Sequence, residues 1–482
     1  MDRILNRWTR GSLSLMGALV LIISRGGSLA LAEQPAPSSE SSFWKTASPA
    51  EKPAPAKPTV VTPPPVEPAR DVKPGLNAAT LERLEALEKK VAEWSAVKEV
   101  EPKSSGPVQW TTGYKDGGGG FYLASPDQAF LFKMMGYVQA NHMWTDAQDA
   151  RLRANGAKPV SNDFYIRRAR IDFSATVYKN TELFVEFEGG VPTSATNQSD
   201  FAMIEAKINH RIVDPFQLRF GKFVVPFSNE NAYRSSRALD TAERYAAVNT
   251  LVGSPAVESQ MGFMTFGNWA KKRYDYALGV FNGNNSTVQN YRDDNSQKNI
   301  VGHFTWKPRA AKSDSMSGLA FGLGFDWDRS LGQTLTLRTL VGTTMSALNV
   351  KGDRLGFSPD IYIPVGKWLE IRGEALVERF NDSRADLYGG FGQVMWNIFK
   401  TDKGLGVSPL VRAESAVISE SVNNTISRLN ILTVGWNFYL NKNVVWRCNY
   451  LPSHFRTVGT DAATFAKVGH YDEVINQLQV KF

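Results

Sequence analysis

The sequence predicts an all-β fold: a transmembrane antiparallel β-barrel of about sixteen strands occupying residues 129–482. Three observations predict it. From Phe130 onward, segments of about ten residues alternate between apolar and polar side chains, the period of strands with unlike faces. Tight turns and long polar stretches share the connections, as when short turns lie on one side of a membrane and long loops on the other. No segment after the first 32 residues carries the ~18 consecutive apolar residues of a membrane-spanning helix.

The chain opens on Arg3, Arg7 and Arg10 before the apolar run "LSLMGALVLII", with "ALA" at residues 30–32. This is the layout of a secretory signal peptide over residues 1–32, cleaved before Glu33. Residues 33–75 follow as a Pro-rich solvated linker. Eleven of the chain's 24 prolines fall between residues 35 and 74, with few aromatics, so a packed core is out of reach there. Residues 76–100 place Leu84, Leu87, Val91 and Trp94 on one face of an amphipathic helix. Two readings stay open for it: a solvated helix, or a short trimeric coiled coil. Residues 101–128, with "DGGGG" at 116–120, read as a flexible joint.

Within the barrel region, "FYIRRARIDFSATV" sets Ala169, Ile171, Phe173, Ala175 and Val177 against Arg168, Arg170, Asp172, Ser174 and Thr176. "WLEIRGEALV" sets Leu369, Ile371, Ala375 and Val377 against Glu370, Arg372 and Glu374. "LTVGWNFYL" sets Leu432, Val434, Trp436 and Phe438 against Thr433, Asn437 and Tyr439. Stretches 145–162, 226–257, 282–298 and 452–471 read as long loops, and those near Asn180, Asp214 and Asn441 as tight turns. Trp306, Trp327, Trp368, Trp396 and Tyr439 fall near strand ends, where interfacial aromatic girdles lie. Seventeen strand candidates emerge. Both barrel ends on one side require an even number, so 334–344 is assigned to a loop and sixteen are expected.

The ordered set "FYIRRARIDF", "QLRFGKFVVPFSNE", "GVFNGNNST", "TVGWNFYLNKNVVWRCNY" and "NQLQVKF" resembles the phosphate-selective porins O and P over about residues 130–482. The resemblance implies a homotrimer of sixteen-stranded barrels in the outer membrane of a Gram-negative-type bacterium, with the N-terminal arm in the periplasm. It also implies that the third long loop, 226–257, folds inward as a constriction. Residues of that loop are Arg234, Arg237 and Arg244, with Glu230, Asp240 and Glu243, and "RALDTAERYAAV" looks helical. Phe482 would belong to the C-terminal signal read by the barrel-insertion machinery. One departure stands out: no lysine occurs between Phe223 and Ala270, where the best-known members place a phosphate site.

Arg168, Arg170, Arg219, Arg372, Arg412 and Arg447 fall on polar strand faces and are the candidate pore-lining, anion-contacting residues. A guanidinium can offer two hydrogen bonds to phosphate or carboxylate. The competing reading pairs them with wall carboxylates, including Glu182, Glu186, Glu188, Glu205, Glu370, Glu374 and Glu414. Arg167 falls on the apolar face and is expected at a rim, outside the pore.

A net charge of +8 is scattered along the chain and argues against a nucleic-acid partner. The single cysteine, Cys448, rules out an internal disulfide and suits an apolar strand position. The histidines 142, 210, 303, 454 and 470 show no metal-ligand spacing, and no phosphate loop or GxSxG elbow occurs. His142 and His303 could serve as bases for a barrel-embedded lipase, but no serine motif accompanies either. The expected function is passive diffusion of small hydrophilic solutes, anionic or neutral, with a preference for anions such as phosphate, with no catalysis, cofactor or metal and with outer-membrane lipid around the wall. The alternatives are a non-selective diffusion pore and a barrel-anchored envelope tether.

Overall fold

A computed structural model of the protein describes residues 109–145, 162–190, 201–251, 257, 259–283, 296–338, 344–422, 424–459 and 468–482. The signal peptide, linker and amphipathic helix lie outside the described residues. A hairpin of β1 (Thr111–Lys115) and β2 (Gly120–Ala124) comes first. The wall then runs through β3 (Phe130–Thr145), β4 (Asn162–Val177), β5 (Thr181–Glu188), β6 (Ala202–Val213) and β7 (Phe216–Val224). It continues through β8 (Ser259–Trp269), β9 (Tyr274–Phe281), β10 (Asn299–Trp306), β11 (Ala320–Arg338), β12 (Thr344–Val365), β13 (Leu369–Phe380) and β14 (Ala385–Trp396). After the two-residue β15 (Phe399–Lys400) come β16 (Gly406–Glu420), β17 (Thr425–Tyr439), β18 (Val444–Val458) and β19 (Val468–Lys481).

Apart from β1, β2 and β15, sixteen strands pair antiparallel with their neighbours, and β19 pairs with β3 from Glu473↔Thr145 to Lys481↔Tyr137. The sheet therefore closes on itself and leaves no edge in the wall. The expected strand number is met, although the residues at 334–344 behave differently. Residues 334–338 continue β11 and pair with the start of β12, so they form neither a loop nor a seventeenth strand. In the supposed loop 452–471, residues 452–458 belong to β18 and 468–471 to β19, so both strands reach further than the alternation suggests.

Phe482 extends the closing ladder beyond β19. Its N–H donates to Gly136 O at 2.9 Å and its carbonyl accepts from Gly136 N at 3.1 Å. A Cβ on Gly136 would stand 2.6 Å from Arg170 O and 2.7 Å from the Phe482 ring, so only glycine admits the terminal aromatic there. The glycine run at 116–120 is not a loose joint. It turns the β1–β2 hairpin, whose second strand pairs with residues 131–134 of β3. Asn443, in the turn before β18, fastens that hairpin: its Oδ1 accepts from Gly117 N at 2.6 Å and its Nδ2 donates to Tyr114 OH at 2.8 Å.

The outward faces expose Leu432, Val434, Trp436, Leu478 and Val480, the alternation read from sequence. Near the turn end, outward aromatics stack as a girdle, as in Trp269–Tyr274, Trp306–Phe321 and Trp436–Phe438. Tyr439 is not part of it; it shares the inward parity of Thr433 and Asn437, and Lys400 sits over its ring. The inward face carries two chemistries. Toward the turn end it is polar, with Thr433, Asn437, Arg447, Gln477 and Gln479. Toward the loop end it turns apolar, with Leu376, Leu387, Ile418, Leu429, Ile431 and Phe455 in one buried cluster. A simple water-facing inner surface was expected. The loop between β7 and β8 supplies the other half of this core.

Candidate functional site

The connection from β7 to β8 enters the barrel over its described residues 225–251 and 257, as expected of the 226–257 loop. The loop forms α1 (Asn229–Ala232), a 3-10 turn (Ser236–Ala238) and α2 (Ala246–Thr250). Ser228 caps α1, its Oγ accepting from Asn231 N at 3.2 Å. The helix expected over 237–248 exists only at the two ends of that stretch. Between them the backbone bonds to the wall instead of to itself. Ala242 N donates to Asn449 Oδ1 at 2.8 Å, and Asn437 Nδ2 donates to Asp240 O at 2.9 Å. Gln139, Gln477 and Gln479 donate to the carbonyls of Ser236, Ala242 and Arg237.

Apolar side chains hold the same loop from above. Tyr245, Ala246, Ala247, Val248 and Leu251 are buried in the inner cluster, the Tyr245 ring 4.9 Å from Phe391. Covering a large apolar side chain in this way stabilises by ~1.5–3 kcal/mol. Tyr245 OH donates to Glu374 Oε1 at 3.0 Å, while Ala246 N donates to Glu414 Oε2 at 3.0 Å. Those two wall carboxylates are thus buried acceptors beneath the loop.

The described loop acids are each taken up by arginine. Glu230 pairs with buried Arg412. Asp240 pairs with Arg234 at 2.9 Å, and Arg372 Nε stands 3.5 Å from the same carboxylate. Glu243 pairs with Arg168 at 2.9 Å and with Arg167 at 2.6 Å. The last contact corrects the sequence reading of Arg167. A β-bulge lets Gln139 pair with Arg168 while the next residue, Ala140, pairs with Ile166. The unpaired extra residue is Arg167, and the bulge turns it to the inside beside Arg168.

Other predicted residues are distributed as follows. Arg170 pairs within the wall with Glu186 at 2.9 Å and Glu188 at 2.5 Å, and Arg372 pairs with Glu370 at 2.8 Å. Arg237 reaches Asp172 at 3.3 Å. Three arginines have only neutral hydrogen-bond partners among the described residues. Arg219 donates to Asn209 Oδ1 at 2.6 Å and stacks over Phe223 and Phe266. Arg447 donates to Gln477 and Gln479. Arg244 donates to the carbonyls of Arg234 and Asn231.

Burial pushes the Asp240 carboxyl up, but the adjacent Arg234 charge and hydrogen bonds win and hold it below its ordinary value. Glu243 follows the same pattern, with burial opposed by Arg167 and Arg168. Burial, then the Arg168 and Arg170 charges, lowers Arg244 to about 10, so it remains a cation at neutral pH. Both loop acids are therefore anions committed to arginine partners.

Sequence reasoning placed the arginines inside but missed the amide side chains that seat the loop. Their signal was present: Gln139, Asn437, Asn449, Gln477 and Gln479 all have inward parity. Among the described residues no group of His, Cys, Asp or Glu could hold a metal ion. His303 bonds to Asp360 at 2.8 Å and His142 to Asn162 at 2.8 Å, and neither has a serine partner among the described residues.

Residues 137–346, from β3 into β12 and including the inward loop, match the model of the family described as phosphate-selective porin O and P. The outer membrane channel DcaP of Acinetobacter baumannii is similar in fold, with TM-score 0.50 and 8% identity over 74% of this chain and 99% of that one. The chain is an outer-membrane porin. The family resemblance read from its motifs thus holds for the part matched. Two further solved structures similar to the porin are OprB of Pseudomonas putida (TM-score 0.48, 10% identity, 74% and 95% coverage) and the trimer form of OmpT of Vibrio cholerae (TM-score 0.47, 12% identity, 73% and 100% coverage). No curated protein matches it.

Proposed function

We propose that this porin passes small hydrophilic solutes with a preference for anions. One observation carries the reading: among the described residues, the loop acids Glu230, Asp240 and Glu243 are each paired with arginine, whereas Arg219, Arg244 and Arg447 keep only neutral hydrogen-bond partners. Positive charge is left over where the conduit is narrowed, and a water-filled lumen with surplus cations concentrates anions. Arg168 and Arg412 hold the loop, Arg170 braces the wall, half-buried Arg219 meets the solute, and buried Arg447 adds its charge from behind the loop. High phosphate affinity is not part of this proposal, because the loop lacks lysine. Nor is catalysis.

Reversal potentials of purified protein in asymmetric KCl test the preference. A potential of anion-selective sign is expected, reduced toward zero by Arg219→Gln with Arg447→Gln. A cation-selective sign contradicts the proposal, a zero potential supports a general diffusion pore, and absence of conductance supports an envelope tether.

For assembly we propose a homotrimer with the N-terminal arm in the periplasm. In support, the outward side chains of His142, Asn162 and Asn476 bond to one another on adjacent strands, a polar group poorly suited to lipid. Removing residues 76–100 tests the helix as an assembly device; trimers that persist unchanged in detergent would dismiss that role. Phe482 is proposed as part of the signal for the insertion machinery.

A further inference from the structure

The outer wall carries a cationic patch that the conduit does not use. On β17 the outward residues from the turn end are Phe438, Trp436, Val434 and Leu432, all apolar; Asn430 and Arg428 follow. Arg428 lies directly opposite Arg456 of β18, and both are exposed. Like charges facing each other across two strands repel, so this arrangement raises the energy of the bare wall. Neither guanidinium has an ion-pair partner among the described residues.

One row nearer the turn end, Asn430 opposes His454, and His454 opposes His470 of β19, the two imidazole rings 4.8 Å apart. Among the outward residues of β17, β18 and β19 the one acid is Asp472, whose Oδ2 accepts from Tyr450 OH at 3.1 Å. Outward apolar residues bound the patch on both sides: Leu432 and Tyr450 toward the turn end, Ile426 and Val458 toward the loop end. Loops of an outer-membrane barrel face the exterior, so the patch sits at the outer-leaflet end of the apolar band.

We propose that Arg428, Arg456 and the His454–His470 pair form a binding site for the phosphorylated headgroup of an outer-leaflet lipid. A phosphate between the two guanidinium groups would accept two hydrogen bonds from each fork and remove their repulsion. The apolar rows below would lie along the acyl chains of the same molecule, which argues for a lipid rather than free phosphate. Asn430 and the imidazoles add donors at the height of the headgroup.

The test uses the full chain in detergent, titrated with bisphosphorylated lipid A and followed by native mass spectrometry. Retention of this lipid should exceed that of dephosphorylated lipid A by about tenfold or more, and Arg428→Gln with Arg456→Gln should remove the excess. Lys351→Gln, an exposed cation elsewhere on the rim, should change nothing. Heat-dependent gel migration confirms that each variant is folded; should the double variant not fold, Arg456→Lys, which keeps charge but loses the fork, should give intermediate retention. Equal retention of both lipids overturns the proposal. So does inorganic phosphate binding at the patch without any lipid preference, or a change of oligomeric state with lipid retention intact, which would mark the patch as subunit interface.

Discussion

Glu243 on the inward loop and Arg167 on the barrel wall meet through a 2.6 Å charge-assisted hydrogen bond, although 76 residues separate them. The bulge makes this possible by turning two successive arginines toward one carboxylate. Removing that carboxylate leaves Arg167 and Arg168 side by side without the acid they share. Glu243→Gln should therefore loosen the loop by ~3–5 kcal/mol while the barrel ladder stays intact. Single-channel recording should show larger conductance with flicker, and gel migration of the folded barrel should be unchanged.

Arg412 and Glu230 are both almost fully buried. Arg412→Met strands Glu230 without its cation and should cost ~3–5 kcal/mol of loop stability. Glu230→Met added to it should restore much of that loss, since neither charge is then left behind. Protease accessibility of the loop across the double-mutant cycle measures the coupling.

Acid should release the loop in a defined window. Asp240 and Glu243 have carboxyls held below their ordinary values of 3.8 and 4.5. A depressed folded value contributes stability that is full above the ordinary value and lost as pH falls through the depressed one. The share of conductance noise that comes from these two pairs should be absent at neutral pH and rise below about pH 4. Glu243→Gln should be noisy already at neutral pH.

Gly136 is the one position on β3 where the terminal aromatic needs an absent side chain. Gly136→Val must displace Phe482 or the β4 backbone, and should slow refolding from urea and lower the yield of heat-resistant barrel. Phe482→Ala leaves the backbone bonds to Gly136 available, so it should refold in vitro more readily than Gly136→Val. If insertion in cells is nonetheless lost with Phe482→Ala, the aromatic acts through recognition rather than wall stability.

Read from the sequence alone, the alternation around Ile171, Leu432 and Leu478 determined the barrel and its outward faces, while the even strand number came from the need to bring both barrel ends to one side. The loop from 226 was also legible, as was the inside placement of Arg168, Arg170, Arg372, Arg412 and Arg447. These are properties of one strand and its period of two. Only the tertiary structure decided the rest. A bulge shifts parity by one residue, so Arg167 moved from the outer face to Glu243, and no local pattern marks that extra residue. Whether an inward side chain meets water or the loop depends on what crosses the lumen, which is why Leu429 and Phe455 are core and Gln477 seats a carbonyl. The meeting of Arg428 with Arg456, and of His454 with His470, follows from strand register around a closed sheet, set by pairing across the whole wall rather than by either segment's own residues.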